Sequence, residues 1–200
     1  MPLFKTSVIS KITIFLVSAM LSVSVMALDF NQTQRLANQG KASAQYDLAL
    51  MYDEGEEVRQ DYFKAVEWYQ KAANQGYADS QFNLAVSYRS GQGVRQDYAK
   101  AVEWYQKAAN QGHIDAIHNL GFMYANGLGV RQDYAKAIEW YQKAANQGSA
   151  SAQYNLGIFY YNGQGVRQDY AKAKAYFGKS CDNQNQDGCD GYRELNEEGY

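Results

Sequence analysis

The chain lacks the excess of positive charge that nucleic-acid binding demands. Its 200 residues carry 19 Lys and Arg against 21 Asp and Glu, a net charge of −2. Nor are the basic residues clustered, because acids interleave them, as in the series Asp97, Lys100, Glu103 and Lys107. Phosphate-dominated binding needs Lys and Arg gathered on one surface, so a nucleic-acid partner is excluded. An apolar run long enough to cross a bilayer is missing as well. The stretch from Ile12 to Val25 is 14 residues long, against the roughly 18 to 20 that a spanning helix needs. The serine-acylation motif S-x-x-K does not occur, nor do S-D-N or K-T-G, which removes a familiar acyl-transfer nucleophile. Histidine is scarce. His113 and His118 stand five apart instead of at i,i+4, and no third ligand of suitable spacing accompanies them, so no metal site follows. The acidic run Asp53, Glu54, Glu56 and Glu57 lacks the alternating ligands of a calcium loop and reads as a solvated loop. On these grounds no catalytic residue, metal ligand or cofactor is assigned.

Cysteine is limited to Cys181 and Cys189. Without a C-x-x-C spacing they carry no redox signature, and an even count in an exported chain predicts a disulfide. Export is the reading of the first segment. Lys5 and Lys11 precede or open the apolar stretch, and Val25-Met26-Ala27 places small residues where a signal peptidase inspects the chain. Residues 1–27 are therefore expected to be a signal peptide cleaved after Ala27. Their loss removes two lysines and no acids, leaving 17 basic and 21 acidic residues, a net charge of −4. No cysteine stands immediately after the cleavage site, which argues against a lipid anchor. The expectation is a periplasmic or secreted protein with no stable membrane insertion after cleavage.

What the chain does have is repetition. The segment Val94 to Gly112 recurs almost letter for letter from Val58 to Gly76 and from Val130 to Gly148, and in degraded form from Val166, in steps of 36. A period of that size marks a solenoid, whose units are too small to bury their own apolar faces and must lean on one another. Between Asp97 and Asn110 the apolar positions Tyr98, Ala101, Val102, Trp104, Tyr105, Ala108 and Ala109 recur at spacings of three and four, the stripe of a helix, here termed helix B. Asp97 is placed to cap it and Gly112 to stop it. A second stripe, Ala116, Leu120, Gly121 and Tyr124 with its equivalents, predicts a preceding helix A. The small residues at 49, 85, 121 and 157 would let the two helices approach closely. The connector Gly91-Gln92-Gly93-Val94 predicts a sharp turn with positive φ. In the first unit Glu57 stands where the others have the second glycine, so that loop is expected to be strained or differently shaped.

The pattern A-x-x-x-L-G-x-x-Y-x-x-G-x-G-V-x-x-D-x-x-K-A-x-x-W-Y-x-K-A-A-x-x-G, seen from Ala116 to Gly148, resembles the Sel1-like repeat, a relative of the tetratricopeptide repeat. The step of 36, the glycine loop and the lack of any proline after Pro2 favour it over the plain tetratricopeptide unit, which repeats every 34 residues and ends in proline. The resemblance implies an all-α fold, a right-handed α-solenoid of helical hairpins. We expect repeats at 41–76, 77–112, 113–148 and 149–184, an N-terminal capping helix within 28–40 and a C-terminal capping helix within 185–200. The cysteine spacing is similar to that of a secreted, cysteine-rich branch of the same family, some of whose members have been described as penicillin-binding or β-lactamase-like. A β-lactamase-like or peptidoglycan-processing envelope enzyme is therefore the rival to a binding scaffold.

Comparing the repeats with one another separates frame from variation. Helix B and the connector barely change, whereas helix A varies at a few positions on one face. Those positions hold Tyr46, Leu50 and Asp53; Phe82, Val86 and Arg89; His118 and Phe122; Tyr154, Ile158 and Tyr161. Asn83, Asn119 and Asn155 recur beside them, with Asp47 in the first unit; such amides either bond an extended chain lying in the groove or satisfy backbone groups between repeats. An aromatic-rich stripe on an invariant frame suits a protein or peptide partner, held on the face that lines the concave side of related solenoids.

Overall fold

The computed structural model describes residues 30–200, so the expected signal peptide, 1–27, lies outside the described residues. The described chain is a right-handed α-solenoid. A first helix, α1, covers 30–38. Four hairpins follow, in which helices A are α2 (Ala42–Glu54), α4 (Ala78–Ser90), α6 (Ile114–Asn126) and α8 (Ala150–Asn162). Their helices B are α3 (Tyr62–Asn74), α5 (Tyr98–Asn110), α7 (Tyr134–Asn146) and α9 (Tyr170–Asp182), and α10 (Gln186–Glu197) packs on α9 and α8. No strand occurs among the described residues.

Each hairpin turns on three consecutive jobs of the Arg-Gln-Asp segment. The aspartates Asp61, Asp97, Asp133 and Asp169 accept hydrogen bonds from the amides of Lys64, Lys100, Lys136 and Lys172, which caps every helix B. One residue earlier, Gln60, Gln96, Gln132 and Gln168 donate their side-chain amides to carbonyls in the last turn of helix A. The aspartate backbone amides reach Tyr52, Tyr88, Tyr124 and Tyr160. Orphan groups of two helix ends are thus satisfied by one short loop.

The second connector glycine is required by the stacking. Gly129 has φ +69°, and a Cβ there would meet the Tyr98 carbonyl of the preceding hairpin at 2.3 Å. Glu57 adopts the same left-handed conformation, φ +60°. The first loop is therefore shaped like the others and strained, and it tolerates a side chain because no hairpin precedes it among the described residues.

Leu48, Leu84, Leu120 and Leu156 are fully buried between hairpins, together with Ala65, Ala101, Ala137 and Ala173 and the helix B aromatics Tyr69, Tyr105, Tyr141 and Phe177. A Cβ on Gly121 would meet the Tyr141 ring at 2.7 Å, and one on Gly157 the Phe177 ring at 2.5 Å. The small residues do allow close approach of A and B.

Polar groups also hold the stack. The buried side chains of Gln45, Gln81 and Gln153 donate to the carbonyls of Ala37, Ala73 and Ala145, each eight residues earlier in the preceding helix. Their carbonyl oxygens accept from Gln75, Gln111 and Asn183 at the end of the following helix B. In the third repeat Ile117 replaces the amide. At the last junction the two positions are Cys181 and Cys189, joined as a disulfide across the same separation of eight. A covalent bond stands where three of the other four junctions have a hydrogen bond.

Candidate functional site

The helix A positions named above form one continuous row, and none is fully buried. Tyr46, Phe82 and Tyr154 are half-buried, as is His118, while Phe122 is 36% exposed. The first of these in each repeat lies against the helix B aromatic of its own hairpin. Tyr46 meets Tyr69 at 6.1 Å, Phe82 meets Tyr105 at 5.9 Å, His118 meets Tyr141 at 5.4 Å and Tyr154 meets Phe177 at 5.6 Å between ring centroids. Phe82 also stacks on His113 at 4.5 Å. One edge of each ring therefore belongs to the core and the other faces outward, an arrangement that presents apolar area without losing its position. The next position along helix A adds half-buried Leu50, Val86 and Ile158 beside Phe122.

The asparagines sit at the seams. The Asn83 amide stands at the phenols of Tyr46 and Tyr69 in the preceding repeat and favours their ionised forms, although burial pushes both phenols up. The Asn155 amide lies 3.0 Å from Nε2 of His118, an arrangement in which the amide donates and the neutral ring carries its proton on Nδ1. Burial holds His118 below its ordinary range, with Arg89 adding to the effect and Asp115 opposing it. The Asn155 contact is to a side chain of the preceding repeat, not to its backbone. Asn119 is half-buried at the intervening position.

At the end of helix A the repeats diverge most. Asp53 accepts a hydrogen bond from the Tyr69 hydroxyl at 3.2 Å. Arg89, Ala125 and Tyr161 occupy the equivalent positions. Past the fourth hairpin the aromatic row stops, because α10 carries Asp190 and Gly191 where α8 has Tyr154 and Asn155. The space left is a cleft of about 260 Å³ lined by Tyr154, Tyr161 and Phe177 together with the carboxylates Asp187, Asp190 and Glu194. Glu194 is the main cause of the raised Tyr161 phenol. Sequence reading passes over this cleft and the glutamine relay between repeats. The recurrence of Gln45, Gln81 and Gln153 is the signal for the relay; the cleft has only the loss of an aromatic at 190.

Among the described residues no helix is long and apolar enough to cross a membrane, and no group of three or more His, Cys, Asp or Glu side chains is gathered as for a metal ion.

Comparison with known proteins agrees with this architecture. The Sel1 repeat matches at residues 42–77, 78–113, 114–149 and 150–185. A solved protective antigen present in uropathogenic Escherichia coli strains, which displays the same repeat fold, is 40% identical, with a TM-score of 0.78 over 80% of this chain and 34% of the antigen. The chain thus spans about a third of that relative's length. A Sel1 repeat protein from Oxalobacter formigenes is 32% identical, with a TM-score of 0.73 over 84% of this chain and 72% of that one. Helicobacter pylori cysteine rich protein B is 27% identical, with a TM-score of 0.52 over 68% of this chain and 97% of its own. No curated protein matches the chain. Four consecutive units on one continuous frame, of a kind that typically serves as a scaffold for protein interactions, place this chain in the Sel1 repeat family.

Proposed function

We propose that the protein is an exported scaffold that holds a protein or peptide partner along its helix A face, which forms the concave side of the solenoid. The observation that carries this reading is the aromatic row. Four rings sit at one position of four nearly identical hairpins, anchored from behind by helix B and only half covered. Aromatic side chains held in place lose little rotamer freedom when a partner covers them, which suits them to anchor a binding surface. Export is supported by the charge and apolar pattern of residues 1–27 and by the disulfide, a bond typical of oxidising compartments. In this arrangement residues 28–40 and 185–200 act as the two caps of the array.

The rival reading, a β-lactamase-like or peptidoglycan-processing enzyme, draws on the cysteine pair and the likeness to the Helicobacter cysteine rich protein. Two experiments separate them. Phe122 is the cleanest probe of the face, since it is exposed. Phe122→Ala with Val86→Ala is expected to abolish retention of a partner from an envelope extract while leaving helicity intact, and unchanged retention would refute the assignment. Turnover of a chromogenic β-lactam or of peptidoglycan above a denatured control would favour the enzyme.

A further inference from the structure

The Nε of Arg89 is shut off from solvent and has no hydrogen-bond partner among the described residues. The hydroxyl of Tyr105, at the position whose first-repeat counterpart Tyr69 bonds the counterpart of Arg89, is also enclosed without a partner, on a side chain that is 0% exposed. Burial pushes this phenol up to about 12, and the guanidinium pulls it the other way. Unpaired buried donors are costly and uncommon in native structures.

The first repeat shows what is missing. There Asp53, the counterpart of Arg89, accepts from Tyr69, the counterpart of Tyr105. In the second repeat a cation takes the place of that acceptor, and neither the Arg89 Nε nor the Tyr105 hydroxyl has a hydrogen-bond partner. A carboxylate supplies what both lack: the planar guanidinium fork can bind it through two N–H groups, and the phenol O–H can add a third hydrogen bond. On the Arg89 helix, Phe82 and Val86 stand seven and three residues before it, the spacing of one helix face. Among the charged positions of the helix A face it is the basic one, opposite in sign to Asp53 and to the carboxylates of the terminal cleft.

We propose that Arg89 and Tyr105 form a carboxylate-binding subsite in the helix A groove, taking the acidic side chain of an extended peptide whose flanking residues are apolar. The subsite rests on the groove reading above. Arg89 is the first contact, and the enclosed hydroxyl joins as the guanidinium swings towards the ligand.

Acetate, titrated into the protein at fixed ionic strength, probes the subsite alone. The Arg89 Nε–H resonance is expected to shift in a saturable way, and absence of that shift overturns the proposal. Selection from a random peptide library tests the occupant. Selected sequences are expected to fix Asp or Glu at one position among apolar residues. Glu→Gln in the best peptide should weaken binding about tenfold or more, the range for a charged hydrogen-bonded pair. Arg89→Asp is expected to fold, because the first repeat already uses that Asp–Tyr pair. It should erase the discrimination between the Glu and Gln peptides and leave Gln-peptide binding within about twofold. Tyr105→Phe should weaken only the Glu peptide. Selection without an acidic preference, or a preference that survives Arg89→Asp, overturns the subsite while leaving the groove intact. Selection that is insensitive to Phe122→Ala sinks the groove itself.

Discussion

If the disulfide replaces the glutamine hydrogen bond of the other junctions, exchanging one for the other has a calculable effect. Cys181 closes the last turn of α9 and Cys189 opens α10, eight residues apart. Cross-linking a loop that short removes about 8 cal/mol/K from the opened state, about 2.5 kcal/mol at room temperature. The equivalent hydrogen bond from Gln153 to the Ala145 carbonyl is worth about 1 kcal/mol, as a neutral bond in a protein. The double variant Cys181→Ala, Cys189→Gln restores the repeat pattern and should recover that much, leaving a net loss of about 1.5 kcal/mol. It recovers no more because the glutamine carbonyl at other junctions is satisfied by the next helix B, and no such helix follows α10 among the described residues.

Hydrogen exchange followed by mass spectrometry reads this locally. Reduction of the disulfide should raise opening of α10 about 70-fold, and the Ala/Gln variant about tenfold, with α2 to α5 unaffected in both. A Cys181→Ala, Cys189→Ala variant should resemble the reduced protein. Exchange in α10 that ignores reduction would show that the bond is not a terminal staple. Equal exchange in the Ala/Gln and Ala/Ala variants would show that the two junction types are not equivalent.

Two further predictions use the first loop and the buried imidazole. Glu57→Gly should raise stability by about 0.5 to 1 kcal/mol by relieving left-handed strain, whereas Gly129→Ala should destabilise by more than about 2 kcal/mol, because its Cβ would meet the Tyr98 carbonyl at 2.3 Å; similar urea midpoints for the two variants would contradict both assignments. His118 is held below its ordinary pKa of 6.5 by burial. Between that value and the lower folded one the unfolded chain binds a proton that the folded chain refuses, so stability falls as pH drops through this window and is regained above it. His118→Gln should flatten the dependence while keeping a partner for Asn155, and a variant with the wild-type slope would place the titration elsewhere.

The hairpins are legible in the sequence because the 36-residue step shows every weak signal four times. Asp61, Asp97, Asp133 and Asp169 announce the start of each helix B, and all four are found capping it. The glutamine relay is harder to see. A polar residue on a helix reads as solvated, and Gln45, Gln81 and Gln153 are buried only by the stacking of one hairpin on the next. Likewise the asparagines invite a reading as backbone or ligand partners, whereas Asn83 and Asn155 meet side chains across the seams.

Arg89 illustrates what repetition conceals. Alignment of the repeats marks position 89 as variable and position 105 as constant, and treats the two facts separately. By the equivalence of the repeats the variable position stands opposite the near-constant one, as the Asp53–Tyr69 hydrogen bond shows in the first. The four hairpins then differ in how they treat one buried ring. An acid satisfies its hydroxyl in the first, a cation leaves it unpaired in the second, alanine stands opposite in the third, and in the fourth Phe177 dispenses with the hydroxyl while Tyr161 lines the terminal cleft beside it. A solenoid can thus write different chemistry along one groove without altering its frame, by changing a single half-buried position opposite a core ring that stays aromatic throughout. Specificity of this kind is visible only where a donor is left without its acceptor, and among the described residues the second hairpin is where guanidinium and phenol are left so together.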